Sequence, residues 1–258
     1  SMAYRANLTA YALPLQNFMP GSGLHSFSGE LTADGAGFDF LSPRTRMDAR
    51  VRVGNFHYSG YDLSNVSLQA EVKNGVGRAL LDSRTPLLNG IIDLRTVLDN
   101  RRIDANLLCN LLYADFYKLG ITEVPLTTSM TAHVDVQSDL ASTHSVKGVI
   151  GNIVVRDSAA AYRPENVVMD IFTRRDSTHA NVTCGDFALR LDGSGSVEHI
   201  LNRLSSIGVE AKKQRNERYI DQLRLRERLP ELSVYLDAGK ENIISRTEIG
   251  RASCRERV

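Results

Sequence analysis

The sequence predicts a mainly β protein built on a repeating strand unit, with one long α-helix near its C-terminus. In many segments apolar residues take every second position, as they do in strands that have one apolar face. A strand–turn–strand unit that starts at Asn65 recurs from Asn166, and after Ser196 the apolar spacing changes to three and four residues. Repetition of this kind favours an elongated, repetitive β structure over a single closed enzyme core.

The repeat unit is clearest over residues 61–90. The apolar positions of its first strand are Val66, Leu68, Ala70 and Val72, and polar residues lie between them. Asn74-Gly75 predicts a tight type I′ turn, since both residues tolerate positive φ. The chain returns over residues 76–81, and a further apolar run starts at Leu88. In the second copy, a polar turn at 174–177 and a return over 180–184 follow Asn166, and residues 185–193 correspond to residues 86–90.

The same alternation predicts strands at 4–10, 29–34, 46–53, 103–111, 126–136 and 146–155. Residues 114–119, closed by Gly120, predict one or two helical turns. Ser194 or Ser196 is the expected N-cap of the long helix, which runs to about Arg228. The domain organisation expected from these signals is a repetitive sheet over 1–194, an amphipathic helix over 195–230 and a further strand over 231–247. Residues 248–258 resemble the translation of a sequencing-adapter oligonucleotide, so we expect them to be non-native.

Composition excludes some classes of function. Basic and acidic residues number 31 and 30, which gives no strong case for a nucleic-acid partner or an anionic membrane surface. No apolar run approaches the roughly twenty residues that a transmembrane helix needs. The N-terminus lacks the basic and apolar regions of a signal peptide and opens almost directly into a strand. We therefore expect a fragment, with any anchor or targeting signal outside this sequence.

No combination of residues predicts a catalytic, cofactor-binding or metal site. Cys109 and Cys184 fall on the apolar sides of their strands, where cysteine usually serves as a small buried hydrophobe. The densest polar cluster surrounds His179, and an enzyme would have to be built there on Asp170, Asp176 and His179. His179 and Cys184 are five positions apart, so in one strand they point to opposite faces. We expect no enzyme and no cofactor.

Several stretches resemble the C-terminal part of AsmA-like proteins of Bacteroidota, the translocation and assembly module TamB family. The resemblance rests on AYALPLQNF (10–18), FSGE (27–30), YDLSNV (61–66), YRPE (162–165), RRDSTHA (174–180), CGDF (184–187) and IDQLRLRERLP (220–230). It implies a long sheet curled into a trough with an apolar inner wall, in the periplasm and anchored in the inner membrane. It also implies transport of phospholipid between the membranes or, alternatively, a scaffold that helps assemble outer-membrane β-barrel proteins.

The strand pattern provides a physical reason for such a trough, because acyl chains need a continuously apolar lining to cross water. The candidate lining residues are Val66, Leu68, Ala70, Val72, Ile103, Ala105, Leu107, Leu111, Leu126, Met130, Ala132, Val134 and Val136. Alternation is equally compatible with faces that close on each other, or on the helix, as a dry core. A β-sandwich that serves as a surface binding module is therefore the alternative from another class.

Overall fold

The computed structural model describes residues 2–58, 61–99, 101–217, 219 and 221–239. This part of the chain is mainly β, its strands pair antiparallel, and one long helix lies near the C-terminus. The predicted fold class, a mainly β protein with a repetitive sheet and one long helix, is confirmed. The predicted tail at 248–258 and the 240–247 part of the last predicted strand lie outside the described residues.

The described strands are fifteen in number. They are β1 (Ala3–Pro14), β2 (Leu24–Ala36), β3 (Arg46–Tyr58), β4 (Tyr61–Leu63), β5 (Val66–Lys73), β6 (Val76–Arg84), β7 (Leu88–Asp99), β8 (Arg102–Asp115), β9 (Thr127–Ser138), β10 (His144–Arg156), β11 (Ala161–Tyr162), β12 (Val167–Arg174), β13 (Ser177–Cys184), β14 (Phe187–Ser194) and β15 (Leu232–Ala238). The helices are α1 (Val197–Glu217) and α2 (Gln222–Glu227).

The chain forms two compact units. Unit 1 comprises Ser1–Val136 and Val149–Asn166, and unit 2 comprises Gln137–Gly148 and Val167–Val258. In unit 1, the strands β1, β2, β3, β5, β6, β7 and β8 lie side by side in that order, and β4 pairs with the end of β3. In unit 2, β12, β13, β14 and β15 are successive antiparallel neighbours. Apart from β4, which pairs only with β3, the strands of these two series form meanders, in which each strand pairs with the next one in the series.

Tight turns connect the strands as the sequence predicts. Asn74 and Gly75 have φ of +52° and +73°, as a type I′ turn requires, and they join β5 to β6. The polar pair Arg175 and Asp176 joins β12 to β13, so the second copy of the unit is also a hairpin. The turn positions of the repeat unit are confirmed in both copies.

The predicted helical turns at 114–119 are wrong in extent. β8 continues to Asp115, and Ala114 is fully buried where it pairs with Leu88 of β7. A single turn follows, in which Leu119 N–H donates to the Asp115 carbonyl at 3.0 Å and Gly120 ends the turn at a φ of +73°. Pairing with β7 extends the strand into a segment whose local composition favours a helix.

The single helix predicted over 195–230 is also wrong, because two helices occupy this segment. Ser196 is the N-cap of α1 and accepts the His199 N–H at 3.2 Å. Asp221 caps α2 by accepting the Arg224 N–H at 3.1 Å. The Gln214 side chain of α1 accepts the Asp221 N–H at 2.8 Å, which holds α2 against α1.

Polar groups fill the space between the two helices. Glu210 and Gln214 are only 7% and 4% exposed, and Gln214 donates to Glu210 at 3.0 Å. Arg228 lies 3.4 Å from the Glu210 carboxylate. The hydrogen bond from Gln214, aided by the charge of Arg228, lowers the pKa of Glu210. An ionised carboxylate therefore lies in the contact between the two helices.

We expect Gly75→Ala to lower the free energy of unfolding by about 1–2 kcal/mol, because an L residue is strained at positive φ. A Cβ at this position would also lie 2.7 Å from the Leu98 carbonyl oxygen. Urea unfolding followed by circular dichroism measures the change. Gly208→Ala is the matched control, since Gly208 is helical and has open space around it. A loss no larger than in the control would contradict the strained-turn explanation.

We expect acid to weaken the helix pair through Glu210. A lowered folded-state pKa contributes stability that is complete above the unfolded value of 4.5 and is lost as the pH falls through the folded-state pKa. Glu210→Gln should therefore lower the melting temperature of the helices near neutral pH, measured by circular dichroism at 222 nm. The difference in melting temperature from wild type should shrink in acid. Glu227→Gln, on the exposed part of α2, is the control. A difference that stays constant with pH would refute the role of the ionised carboxylate.

Candidate functional site

The candidate site is one face of the unit 1 sheet, where the strand registers align residues in rows across seven strands. One central row is Leu8, Leu31, Val51, Leu68, Leu81, Ile92 and Cys109. The other central row is Ala6, Ala33, Ala49, Ala70, Ala79, Leu94 and Leu107. The rows on either side are Tyr4, Gly35, Met47, Val72, Gly77, Thr96 and Ala105, and Ala10, Gly29, Val53, Val66, Ser83, Gly90 and Leu111. None of these four rows contains a charged side chain. We call them the unit 1 apolar face.

The opposite face of the same strands is mixed, and it carries the charged side chains. One of its rows contains Arg5, Asp34, Asp48, Glu71, Arg78, Arg95 and Asn106. Arg78 pairs with Asp93 at 2.9 Å, and the hydrogen bond from Arg78, with a further one from Arg95, lowers the pKa of Asp93. Exposed ion pairs contribute little to stability, so their main effect is to keep this face hydrated.

The apolar face is only partly buried. Among its candidate lining residues on β5 and β8, only Val72 and Leu111 are buried. Leu68 is 39% exposed, and the remaining candidates on these two strands are half-buried. Leu8, on β1 of the same face, is 56% exposed. Apolar side chains in a closed core would be more completely buried than this.

Side-chain contacts orient β9 relative to β8. The Asn106 amide nitrogen lies 2.7 Å from His133 Nε2 and donates to Asp135 at 2.7 Å. His133 and Asp135 therefore share the polar face with Asn106. The alternating positions of β9, which are Met130, Ala132, Val134 and Val136, fall on the other side and are half-buried. Leu126 lies just before β9 rather than in it, and its carbonyl accepts the Phe116 N–H at 2.8 Å.

One end of the unit 1 apolar face is closed by a small core. Leu87, between β6 and β7, and Ala114, at the end of β8, are almost completely buried. Ser83, in the row that runs from Ala10 to Leu111, is also buried and donates to the Leu88 carbonyl at 2.7 Å. Dry packing is thus concentrated at the ends of the strands and does not extend over the middle of the face.

Unit 2 has an apolar face of the same kind. Its rows are Val167, Cys184, Phe187 and Ala238; Met169, Val182, Leu189 and Leu236; Ile171, Ala180, Leu191 and Val234; and Thr173, Thr178, Gly193 and Leu232. The opposite face has Asp170, Arg190, His179 and Asp192. None of these residues was among the predicted lining positions, although the alternation that identified β5 and β8 is present here too.

The start of α1 lies at the last row of the unit 2 apolar face. Ile200 is 3% exposed, and a Cβ on Gly193 would come within 2.7 Å of Ile200 Cδ1. Thr173 Oγ1 accepts the Val197 N–H at 3.0 Å and also lies 2.8 Å from the Thr178 hydroxyl. The helix is therefore attached to the end of this face through its first turn.

Of the three residues on which an enzyme would have to be built, only Asp170 and His179 line the same cleft. Asp170 and His179 line one shallow cleft of about 270 Å³ on the polar face, where His179 lies 2.6 Å from Asp192. Asp176 lies at the hairpin turn and pairs with Arg174 at 2.8 Å. Cys184 is buried on the apolar face, opposite to the exposed His179, as strand parity predicts. Among the described residues, no group of His, Cys, Asp and Glu could hold a metal ion.

Comparison of the chain with family models, with curated proteins and with solved structures finds no match. Within the described ranges, no helix has both the length and the apolar character that a membrane crossing needs.

We expect Cys109 to report whether the unit 1 apolar face is open. Cys109 is half-buried and burial raises the pKa of its thiol, so an uncharged maleimide should modify it, but more slowly than a fully exposed cysteine. Cys184, which is buried, should resist modification. Peptide mass spectrometry of a Cys254→Ser variant, labelled with and without urea, measures both sites. Equal resistance of both cysteines in the folded protein would indicate a covered face.

Proposed function

We propose that the chain is part of a periplasm-spanning bridge protein of the AsmA-like, TamB type, anchored in the inner membrane by a segment outside this sequence. In this proposal it carries phospholipid between the inner and outer membranes, and the acyl chains lie on the apolar faces. The observation that supports the proposal most directly is the set of four uncharged rows that cross seven strands of unit 1.

The energetics of lipid transfer explain why an uninterrupted apolar surface matters. Each methylene of an acyl chain costs about 0.8 kcal/mol to expose to water, so a full chain costs roughly 10 kcal/mol or more. A surface lowers this cost only where it is apolar, and one charge in a fully apolar path would cost about 2.5–3.5 kcal/mol. The unit 1 apolar face meets this requirement, whereas the opposite face, with its row from Arg5 to Arg95, does not.

Partial burial supports the same proposal. Side chains such as Leu68 still have apolar area in contact with water, and covering such area is favourable by about 25 cal/mol per Å². Extended apolar patches on a protein surface usually mark a binding site. An acyl chain suits this face because the face offers methyl and methylene groups and no charged partner for a polar ligand.

We expect Leu68→Asp combined with Leu107→Asp to reduce cross-linking to phosphatidylethanolamine with a photoreactive acyl chain more than tenfold, because each Asp places a charge in the acyl path. Both residues lie in the central rows of the unit 1 apolar face. The experiment measures photo-cross-linked protein by mass spectrometry. Circular dichroism should show that the sheet remains folded.

Gln69→Asp is the matched control. It introduces the same charge as Leu68→Asp does, one residue away on the opposite face, where Gln69 pairs directly with Arg50. It should leave cross-linking unchanged. Equal cross-linking of the double variant and the control would refute the acyl-binding role. Capture of an unfolded outer-membrane barrel protein by all variants, without lipid, would favour the scaffold alternative.

A further inference from the structure

A cleft of about 520 Å³ lies beside the first turns of α1 in unit 2. Arg175 reaches it from the turn between β12 and β13, and His199 and Arg203 line it from α1. Ser196, the N-cap, is part of its wall, and Glu231 lines it just before β15. Three basic side chains and one carboxylate therefore surround a single cavity.

The two arginines are held in different ways. Arg203 Nη2 donates to the carbonyls of Glu227 and Leu229 at 2.8 and 3.0 Å, which fixes the guanidinium at the wall of the cleft. Its Nε is buried and has no acceptor among the described residues. Protein atoms cover this Nε, so a ligand in the cleft cannot reach it, but the charge of the guanidinium at the wall would still stabilise an anion there.

Arg175 is exposed and forms no ion pair within the described part of the chain, because the adjacent Arg174 takes the Asp176 carboxylate. Two backbone N–H groups at the helix start are already occupied, since Val197 N–H donates to Thr173 and His199 N–H to Ser196. The positive charge available to a ligand thus comes from side chains, and arginine matches the geometry of a phosphate in particular.

The cleft adjoins the unit 2 apolar face. Ser194, in its wall, directly follows Gly193, and Glu231 directly precedes Leu232. Gly193 and Leu232 are partners in the last row of that face, where Ile200 lies against Gly193. A ligand with a phosphate in the cleft would therefore have its remaining atoms close to an apolar surface.

We propose that this cleft binds a phosphate group, namely the head-group phosphate of a phospholipid whose acyl chains lie on the unit 2 apolar face. This inference rests on the proposed function and adds to it a defined head-group site. The phosphate would lie between Arg175 and Arg203, with His199 beside it. Glu231 is the one carboxylate in the lining and would disfavour a second anion in the same cleft.

The test compares binding of three probes by isothermal titration calorimetry: dihexanoyl phosphatidylethanolamine, dihexanoylglycerol and inorganic phosphate. Arg175→Gln with His199→Gln should weaken binding of the phospholipid at least tenfold, because the guanidinium of Arg175 and the imidazole of His199 are lost as partners of the phosphate. The same variant should leave binding of dihexanoylglycerol unchanged. Arg190→Gln, which removes one charge from the opposite face of β14, is the control for net charge and should have no effect.

Each other result has a defined meaning. If the phospholipid binds wild type and the double variant equally, the head-group site is refuted while the acyl-binding role survives. If neither lipid binds any form of the protein, the proposed function fails instead. Binding of phosphate as tight as that of the phospholipid, with no gain from acyl chains, would make the cleft a free-phosphate site and overturn the inference. Equal weakening by Arg190→Gln would reduce it to a general charge effect.

Discussion

Strand register is the constraint on which both apolar faces depend. In an antiparallel pair, directly opposed residues share a face, so a slip of one residue would move every apolar side chain to the charged side. In unit 1 the pairing between β3, β5, β6 and β7 runs without interruption through all four rows. The register shifts of β1, β2, β7 and β8 fall beyond the row of Ala10, Gly29 and Gly90. All of these irregularities lie at the same end of the strands, so the faces remain separated everywhere else.

The strands were predictable because their signal is local. Alternation of Val66, Leu68, Ala70 and Val72 with polar residues identifies β5 and its faces, and Asn74-Gly75 fixes the turn that sets the register with β6. The same reasoning applied to unit 2 would have found its apolar face. Strand lengths were underestimated where cross-strand pairing continues into segments without clear alternation, as at the end of β8.

The helical region and the cleft were not predictable, because both depend on contacts between distant residues. The break between α1 and α2 is fixed by Gln214 reaching the Asp221 backbone, and Arg203 binds carbonyls at the end of α2. The cleft combines Arg175 from a hairpin turn with Arg203 from a helix. In the sequence these residues look like ordinary solvated charges, and only the fold places them around one cavity. Alternation identifies the residues that share a face, but it does not encode what covers that face.

The row of small side chains in the unit 1 apolar face has a consequence for how a long ligand would be oriented. The row of alanines from Ala6 to Ala79 lies between the larger row from Leu8 to Leu81 and the row of Tyr4, Met47 and Val72, so the alanine methyl groups form the floor of a shallow furrow whose second wall is interrupted by glycines. This furrow runs across the strands, and every added strand lengthens it by about 4.8 Å. It becomes shallower at Leu94 and Leu107, where the small residues end. A flexible hydrocarbon tail would thus lie perpendicular to the strands, and the number of strands would determine how much of its length is sheltered.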